Sequence, residues 1–235
     1  MDTQKRTARA TGAWYLAVAV TGMLGFLVIR PQLYIADDPA ASLANVTENA
    51  ALAHLGLGLE MALVVVQALT AVWFYKLLRP IAPTAGFAVA AFGLLNGAAV
   101  MASGVFLATA LWVAESPVAD PVGAVGLLDQ LSTNAWGMGS LFFGLWLIPM
   151  GWAAITTGRM PVLLGWLLVV GGVAYLVSAF AGYAVADAPA WATDYPPFLA
   201  TIGEFWMIGY LLTVGIRPAD DSRAVVRVRA DSVAA

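Results

Sequence analysis

The sequence has 235 residues, of which 61% are hydrophobic and 11% charged, and its formal net charge is −3. Soluble domains carry about 25% charged residues, so this composition is typical of an integral membrane protein that folds as one unit. No basic patch is present, which argues against a nucleic-acid partner. With no cysteine and one histidine, the chain excludes disulfides, thiolate metal sites and multi-histidine metal or haem sites. We therefore expect no metal and no cofactor.

Six stretches of the chain are long and apolar enough to cross a bilayer, which takes about 20 residues each. Three basic residues precede the first stretch, and no small-residue cleavage site closes it, so we interpret it as a retained helix and not as a signal peptide. The predicted fold is all-α, with residues 1–217 forming one six-helix transmembrane bundle and residues 218–235 forming a disordered cytoplasmic tail. The predicted spans are residues 11–29, 51–75, 84–113, 133–157, 161–185 and 197–216.

The distribution of lysine and arginine predicts the orientation of this bundle. Basic residues accumulate on the cytoplasmic side of membrane proteins, and here they lie before the first span, in the second and fourth links, and after the last span. The other links are acidic, and Arg30 is the basic exception among them. We therefore expect a multi-pass protein of the cell membrane with both termini in the cytoplasm.

Two of the links on the acidic side are long enough to carry structure of their own. The first, after residue 31, has the composition of a short amphipathic helix around residues 40–49. The second, residues 117–130, alternates glycine with apolar residues. It either dips into the membrane interface or extends the fourth helix towards its N-terminus.

The second span contains the most informative residue, because Glu60 lies well inside an apolar stretch. A charge at membrane depth costs at least about 2.5 kcal/mol, so it needs a partner, a wet cavity or a proton. Gln67 is seven residues further on and shares the same helix face. Small residues accompany both on that face, which is typical of the side turned towards other helices.

Polar residues at comparable depth occur in the third and sixth spans. Glu204 lies as far from the outer end of its helix as Glu60 does, about 10–15 Å at 1.5 Å per residue. Asn96 lies near the middle of the third span, and Thr201 precedes Glu204 by one turn. Equal depth makes contact possible, so we predict one buried polar cluster. Its members are Glu60, Glu204, Gln67, Asn96 and Thr201.

Two interpretations of this cluster are open. In the first, Glu60 and Glu204 form a carboxylate pair that shares a proton, since two carboxylates in a low dielectric do not both ionise cheaply. Such a pair suits proton coupling, cation binding or acid–base chemistry. In the second, each carboxyl is hydrogen-bonded and only stabilises the bundle. Arg30 is a candidate counter-charge, although its long side chain could instead extend to the lipid headgroups.

Several short segments resemble the bacterial membrane proteins grouped as family DUF4386. The resemblance runs from Arg9 to Pro218, and its most specific parts are GRMPVLLG at residues 158–165 and IGE at residues 202–204. Further segments are RATG at 9–12, YKLLRP at 75–80 and FFGL at 142–145. The resemblance implies a six-helix membrane protein with an acidic residue at the position of Glu60. It implies no particular chemistry.

Three functions fit these observations. The first is a small secondary transporter or ion-coupled carrier. Transport would be secondary and not ATP-driven, because no nucleotide-binding motif is present. Six spans are few for a carrier, so this interpretation also predicts a homodimer. The second is an intramembrane enzyme that acts on lipid and uses the same carboxylates as acid and base. The third is a non-catalytic membrane partner or sensor. Besides the bilayer, the expected partner is a small molecule, a lipid or an ion at the buried site.

Overall fold

The computed structural model describes residues 3–193 and 195–218, and every regular element within them is a helix. Residues 219–235, where the disordered tail is predicted, lie outside the described residues. The helices are α1 (Thr3–Leu33), α2 (Pro39–Glu48), α3 (Ala50–Leu78), α4 (Pro83–Glu115), α5 (Pro121–Thr157), α6 (Val162–Ala184), α7 (Ala190–Thr193) and α8 (Pro196–Thr213).

Five helices of the described chain, namely α1, α3, α4, α5 and α6, are long and apolar enough to cross a membrane. The chain is therefore a polytopic helical protein of membrane type. The last helix, α8, has 18 residues, begins with two prolines and carries Glu204 in its middle. These features keep α8 out of that set, so the sixth span stays a prediction.

The six long helices form a closed ring. Each packs against its neighbours in the sequence, and α8 packs against both α6 and α1, which closes the ring. The short helix α2 lies across α4 and α5 at one end, and it confirms the helix predicted around residues 40–49.

Two helices extend well beyond the predicted spans. The first begins at Thr3 and continues to Leu33, with a π-helical segment, Met23–Ile29, near its end. The fifth begins at Pro121, where the Asp120 carboxylate accepts a hydrogen bond from the Gly123 amide. That capped, proline-led start is a favourable N-terminus. Most of residues 117–130 therefore extend α5 towards its N-terminus, which is the second of the two alternatives predicted for this segment.

The first and last of the described residues lie at the same end of the ring. The Arg159 side chain, in the link between α5 and α6, donates hydrogen bonds to the Gln4 side chain and to the Arg217 carbonyl. The Tyr210 hydroxyl donates to the Arg159 carbonyl from α8. We call this the basic end of the ring. The opposite end carries acidic residues, including Glu115 and Asp120, and we call it the acidic end.

Helices α5 and α6 approach each other through glycines. A Cβ atom on Gly144 would lie 2.7 Å from the Gly172 carbonyl oxygen, and one on Gly165 would lie 2.7 Å from that of Gly151. No larger residue fits at these contacts without moving the backbone. Gly158, with φ of 67°, then ends α5 in the left-handed conformation that glycine adopts at least cost.

An aromatic cluster fills the ring towards its basic end. Trp146 of α5 is fully buried, and its indole stands edge-on to Tyr15 of α1 and Phe74 of α3 at centroid distances of 5.4 and 6.0 Å. Phe143 and Tyr175 continue the cluster. We call these five residues the aromatic plug, because they close the centre of the ring.

Candidate functional site

Glu60 of α3 points into the ring on the acidic side of the aromatic plug. Its side chain is buried, with 8% of the residue exposed, and its Oε1 accepts a hydrogen bond of 2.8 Å from the Trp136 indole Nε1 of α5. Its second oxygen, Oε2, has no hydrogen-bond partner among the described residues but is still accessible to water. One half of the carboxyl is therefore held by the protein, and the other half is available.

Glu60 lines a cavity with about 40 Å³ of water-accessible space. The π-helical segment also lines the cavity, through Gly25, Phe26 and Ile29. The Phe26 ring packs on the Trp136 ring at a centroid distance of 4.8 Å. A π-helical turn is wider than an α-helical turn and is frequently found at functional sites.

The sequence-predicted counter-charge, Arg30, also lines this cavity, but its ionic partner is Asp129 of α5. The guanidinium Nη2 lies 2.7 Å from an Asp129 carboxylate oxygen, and the other terminal nitrogen donates to the Ser132 hydroxyl at 2.9 Å. Ser132 is bonded in turn to Ser103 of α4 at 2.7 Å. Arg30 therefore turns into the bundle, and the network ties α1, α4 and α5 together at the rim of the cavity.

Glu204 lies in a different helix interface from Glu60. Its Oε1 accepts a hydrogen bond of 2.7 Å from the Tyr15 hydroxyl of α1, and Tyr175 of α6 is near enough to interact electrostatically with the same carboxyl. Since Tyr15 is 1% exposed and belongs to the aromatic plug, this carboxyl caps the plug. No hydrogen bond in the described chain joins Glu204 to Glu60.

The other three residues of the predicted cluster bond to backbone carbonyls. The Gln67 amide donates to the Gly93 carbonyl at 3.4 Å, and the Asn96 amide donates to that of Gly139 at 3.0 Å. Thr201 donates to Pro197, one turn earlier in its own helix. Within the described part of the chain, none of the five predicted residues bonds to another. Only Glu60 among them lines the cavity.

Sequence reasoning missed the direct partners of both carboxyls. Trp136 lies near the start of the predicted fourth span, where nothing in the sequence marks it as the partner of Glu60. Tyr15 likewise carries no signal beyond its residue type. A signal does exist for the Arg30 network. Asp129 and Ser132 lie one turn apart and share a helix face once α5 begins at Pro121, which makes a polar stripe inside an apolar helix.

A ring of long apolar helices with buried carboxyls defines this chain as a polytopic helical membrane protein. The family model described as "Domain of unknown function (DUF4386)" matches residues 10–215, which is most of the chain. The chain therefore belongs to this family, and the resemblance noted in the sequence is confirmed. No curated protein and no solved structure matches the chain.

Proposed function

We propose that the protein is a small secondary carrier of the cell membrane whose coupling site is the Glu60 cavity. The observation that carries this proposal is the half-engaged carboxyl of a cavity-lining residue: Trp136 holds Oε1 of Glu60, and Oε2 has no hydrogen-bond partner among the described residues. A buried carboxyl without a second partner is costly unless it binds something. The other predicted polar residues already have partners within the bundle, so they do not compete for this role.

The charges around the cavity favour a cation or a proton over an anion. Two charged residues line it, Glu60 and Arg30. Asp129 neutralises Arg30 at 2.7 Å, so the charge left without an ionic partner is the carboxylate of Glu60. A negative site in a low dielectric attracts positive charge.

The size of the cavity separates the carrier from the lipid enzyme. About 40 Å³ of water-accessible space holds a few water molecules or one small ion. Pockets for organic ligands measure about 300–1,000 Å³, so this cavity favours a ligand smaller than a lipid headgroup. An organic co-substrate would need another conformation of the protein in which this cavity is wider.

A second candidate is a sensor or partner protein without transport. Hydrogen bonds engage Gln67, Asn96 and Glu204 within the bundle, as expected if most of the buried polar groups only stabilise the fold. The two candidates differ in the role of Glu60. A carrier moves charge through the site, whereas a sensor does not.

Flux through proteoliposomes distinguishes the two candidates. We expect the wild-type protein to dissipate an imposed gradient of protons or of alkali cations, followed with a pH-sensitive or cation-sensitive dye inside the vesicles. Glu60→Gln should abolish that flux. Glu204→Gln is the matched control, since it removes the carboxyl that is bonded to Tyr15 of the aromatic plug and leaves the cavity lining intact. Flux that is equal in the wild type and in Glu60→Gln would refute the carrier.

The proposal includes six spans with both termini in the cytoplasm. Contacts of Arg159 with Gln4 and Arg217 support an even number of crossings, and the basic residues at that end support a cytoplasmic location. Because the chain has no cysteine, single introduced cysteines report topology cleanly. An impermeant maleimide should label Asp187→Cys, before α8, and should not label Pro218→Cys, after it. Labelling of both from outside whole cells would exclude α8 as a span.

Six spans are few for a carrier, so the proposal also includes a homodimer. The mass of the detergent-solubilised protein, measured by light scattering with the detergent subtracted, is expected to be twice that of the chain. A monomer that transports at full rate would refute this part of the proposal.

A further inference from the structure

The cavity around Glu60 is poor in oxygen ligands. Among its lining residues, three side chains carry oxygen: Thr21, Tyr34 and Glu60. The Thr21 hydroxyl already donates to the Ala17 carbonyl at 2.7 Å within α1, and one of the Glu60 oxygens is engaged by Trp136. The rest of the lining is almost entirely apolar.

A dehydrated metal ion needs more ligands than this cavity supplies. Calcium takes about 6–8 oxygen ligands, and magnesium demands a near-octahedral set of six. In the described chain no group of three or more histidine, cysteine, aspartate or glutamate side chains could hold a metal ion.

We propose that the ligand of the Glu60 cavity is a proton and that Glu60 is the residue that carries it. This inference rests on the proposed carrier and narrows its coupling ion to one species. A proton needs a single oxygen with a free lone pair, and Oε2 of Glu60 provides it. In the loading step, hydronium transfers H⁺ to Oε2, which leaves a neutral carboxyl and a water molecule. Unloading is the reverse of this transfer.

The groups that face Glu60 suit a proton site. Arg30 of α1 lines the cavity and is already paired with Asp129. Tyr34, the residue after α1, also lines it. Burial raises the pKa of Tyr34 to about 12 against the opposing effect of Arg30, so its hydroxyl stays neutral near physiological pH. From α5 comes the Trp136 N–H, and the groups from α4 are apolar: Leu107 and Leu111 line the cavity, and Gly104 lies beside the Glu60 side chain. Among the lining residues, Glu60 is therefore the one carboxyl that can accept a proton.

Trp136 has a defined role in this arrangement. Its N–H donates to Oε1 and favours the ionised carboxylate, because a hydrogen bond to the charged form stabilises that form. Removing this donor should therefore favour the protonated state. Trp136 acts through Glu60 and is a positioning residue.

Carbodiimide labelling tests the inference without any assay of transport. Dicyclohexylcarbodiimide reacts with protonated carboxyls in apolar surroundings, and mass spectrometry of the Glu60 peptide measures the rate. From about pH 5 to about pH 9 we expect that rate to fall, by about tenfold per pH unit once the carboxyl is mostly ionised. At fixed pH, added sodium, potassium or calcium chloride should leave the rate unchanged relative to choline chloride.

Two variants make the experiment specific to Glu60. Trp136→Phe should move the pH of half-maximal labelling upwards. Trp146→Phe makes the same replacement in the aromatic plug and should not move it. Equal shifts in both variants would show a general loosening of the bundle and would contradict the positioning role.

The possible failures are distinguishable. Slower labelling of Glu60 with sodium, potassium or calcium at fixed pH would show a metal-ion site, which overturns the proton inference and leaves the carrier intact. Labelling that does not change with pH would also overturn the inference. The carrier itself fails only in the flux experiment, through flux that Glu60→Gln does not alter.

Discussion

The two halves of the ring interior are filled in different ways. Towards the basic end, the aromatic plug packs around a fully buried Trp146, and the Glu204 carboxyl is tied to Tyr15. Towards the acidic end, a π-helical segment widens α1, and Glu60 keeps one oxygen free beside a cavity. Two glutamates at similar predicted depth thus have unlike surroundings, so depth alone does not assign a role to a buried carboxyl.

The contrast also defines what a carrier must do. The cavity lies on the acidic side of the aromatic plug, so the buried rings of the plug lie between Glu60 and the basic end. Passage in that direction requires Tyr15 or Trp146 to move.

The largest expected loss of stability comes from truncating the central side chain of the aromatic plug. Trp146→Ala should lower the free energy of unfolding by about 3–5 kcal/mol, the usual cost of removing a buried tryptophan. Trp136→Ala should cost less, because Trp136 is only partly buried and borders a cavity already. Denaturant titrations in mixed micelles measure both values. Equal losses would mean that the two halves are packed alike.

Breaking the ion pair at the rim of the cavity should have the next largest effect. Arg30→Met leaves Asp129 without its partner, and the exposed fractions of the two side chains are 12% and 22%. Truncating one partner of a fully buried pair costs about 3–5 kcal/mol. With partial exposure to screen the remaining charge, we expect about 1–3 kcal/mol. The double variant Arg30→Met/Asp129→Leu should recover part of this loss in the same titration.

The bond between Tyr15 and Glu204 should contribute a smaller amount. Tyr15→Phe and Glu204→Gln, combined in a double-mutant cycle, should give a coupling energy of about 1–2 kcal/mol, as for a hydrogen bond inside a protein. The same cycle between Glu60→Gln and Glu204→Gln should give a coupling near zero. A clear coupling between the two glutamates would restore the carboxylate pair that the sequence suggests.

The smallest effect is expected at Gly104, on the wall beside Glu60. A Cβ there would lie 3.8 Å from the Glu60 Cγ atom, an ordinary contact. Gly104→Ala should therefore stabilise α4 by up to about 1 kcal/mol through helix propensity. Gly209→Ala is the matched control, since its Cβ would meet nothing within 4 Å. If Gly104→Ala alone slows flux or carbodiimide labelling, the wall beside Glu60 is part of the site.

The sequence supports a polytopic helical fold and the unusual status of Glu60, because both follow from hydropathy and the cost of a buried charge. It does not predict the π-helical segment, since the apolar residues 23–29 are equally compatible with a regular α-helix. It also cannot identify Tyr15 or Trp136 as partners. Periodicity tells which residues share a face of one helix, whereas the partner depends on how two helices rotate against each other.

The glycine contacts between α5 and α6 have a consequence for how the chain is made. Gly144 and Gly151 are seven residues apart, as are Gly165 and Gly172, which matches the repeat of two helices wound around each other in a left-handed sense. The pair is joined by a link of four residues, 158–161, and its contact surface needs no residue from another helix. During synthesis, α5 and α6 can pair as a helical hairpin while α8 is still in the ribosomal exit tunnel. The ring then closes last, when α8 reaches α1.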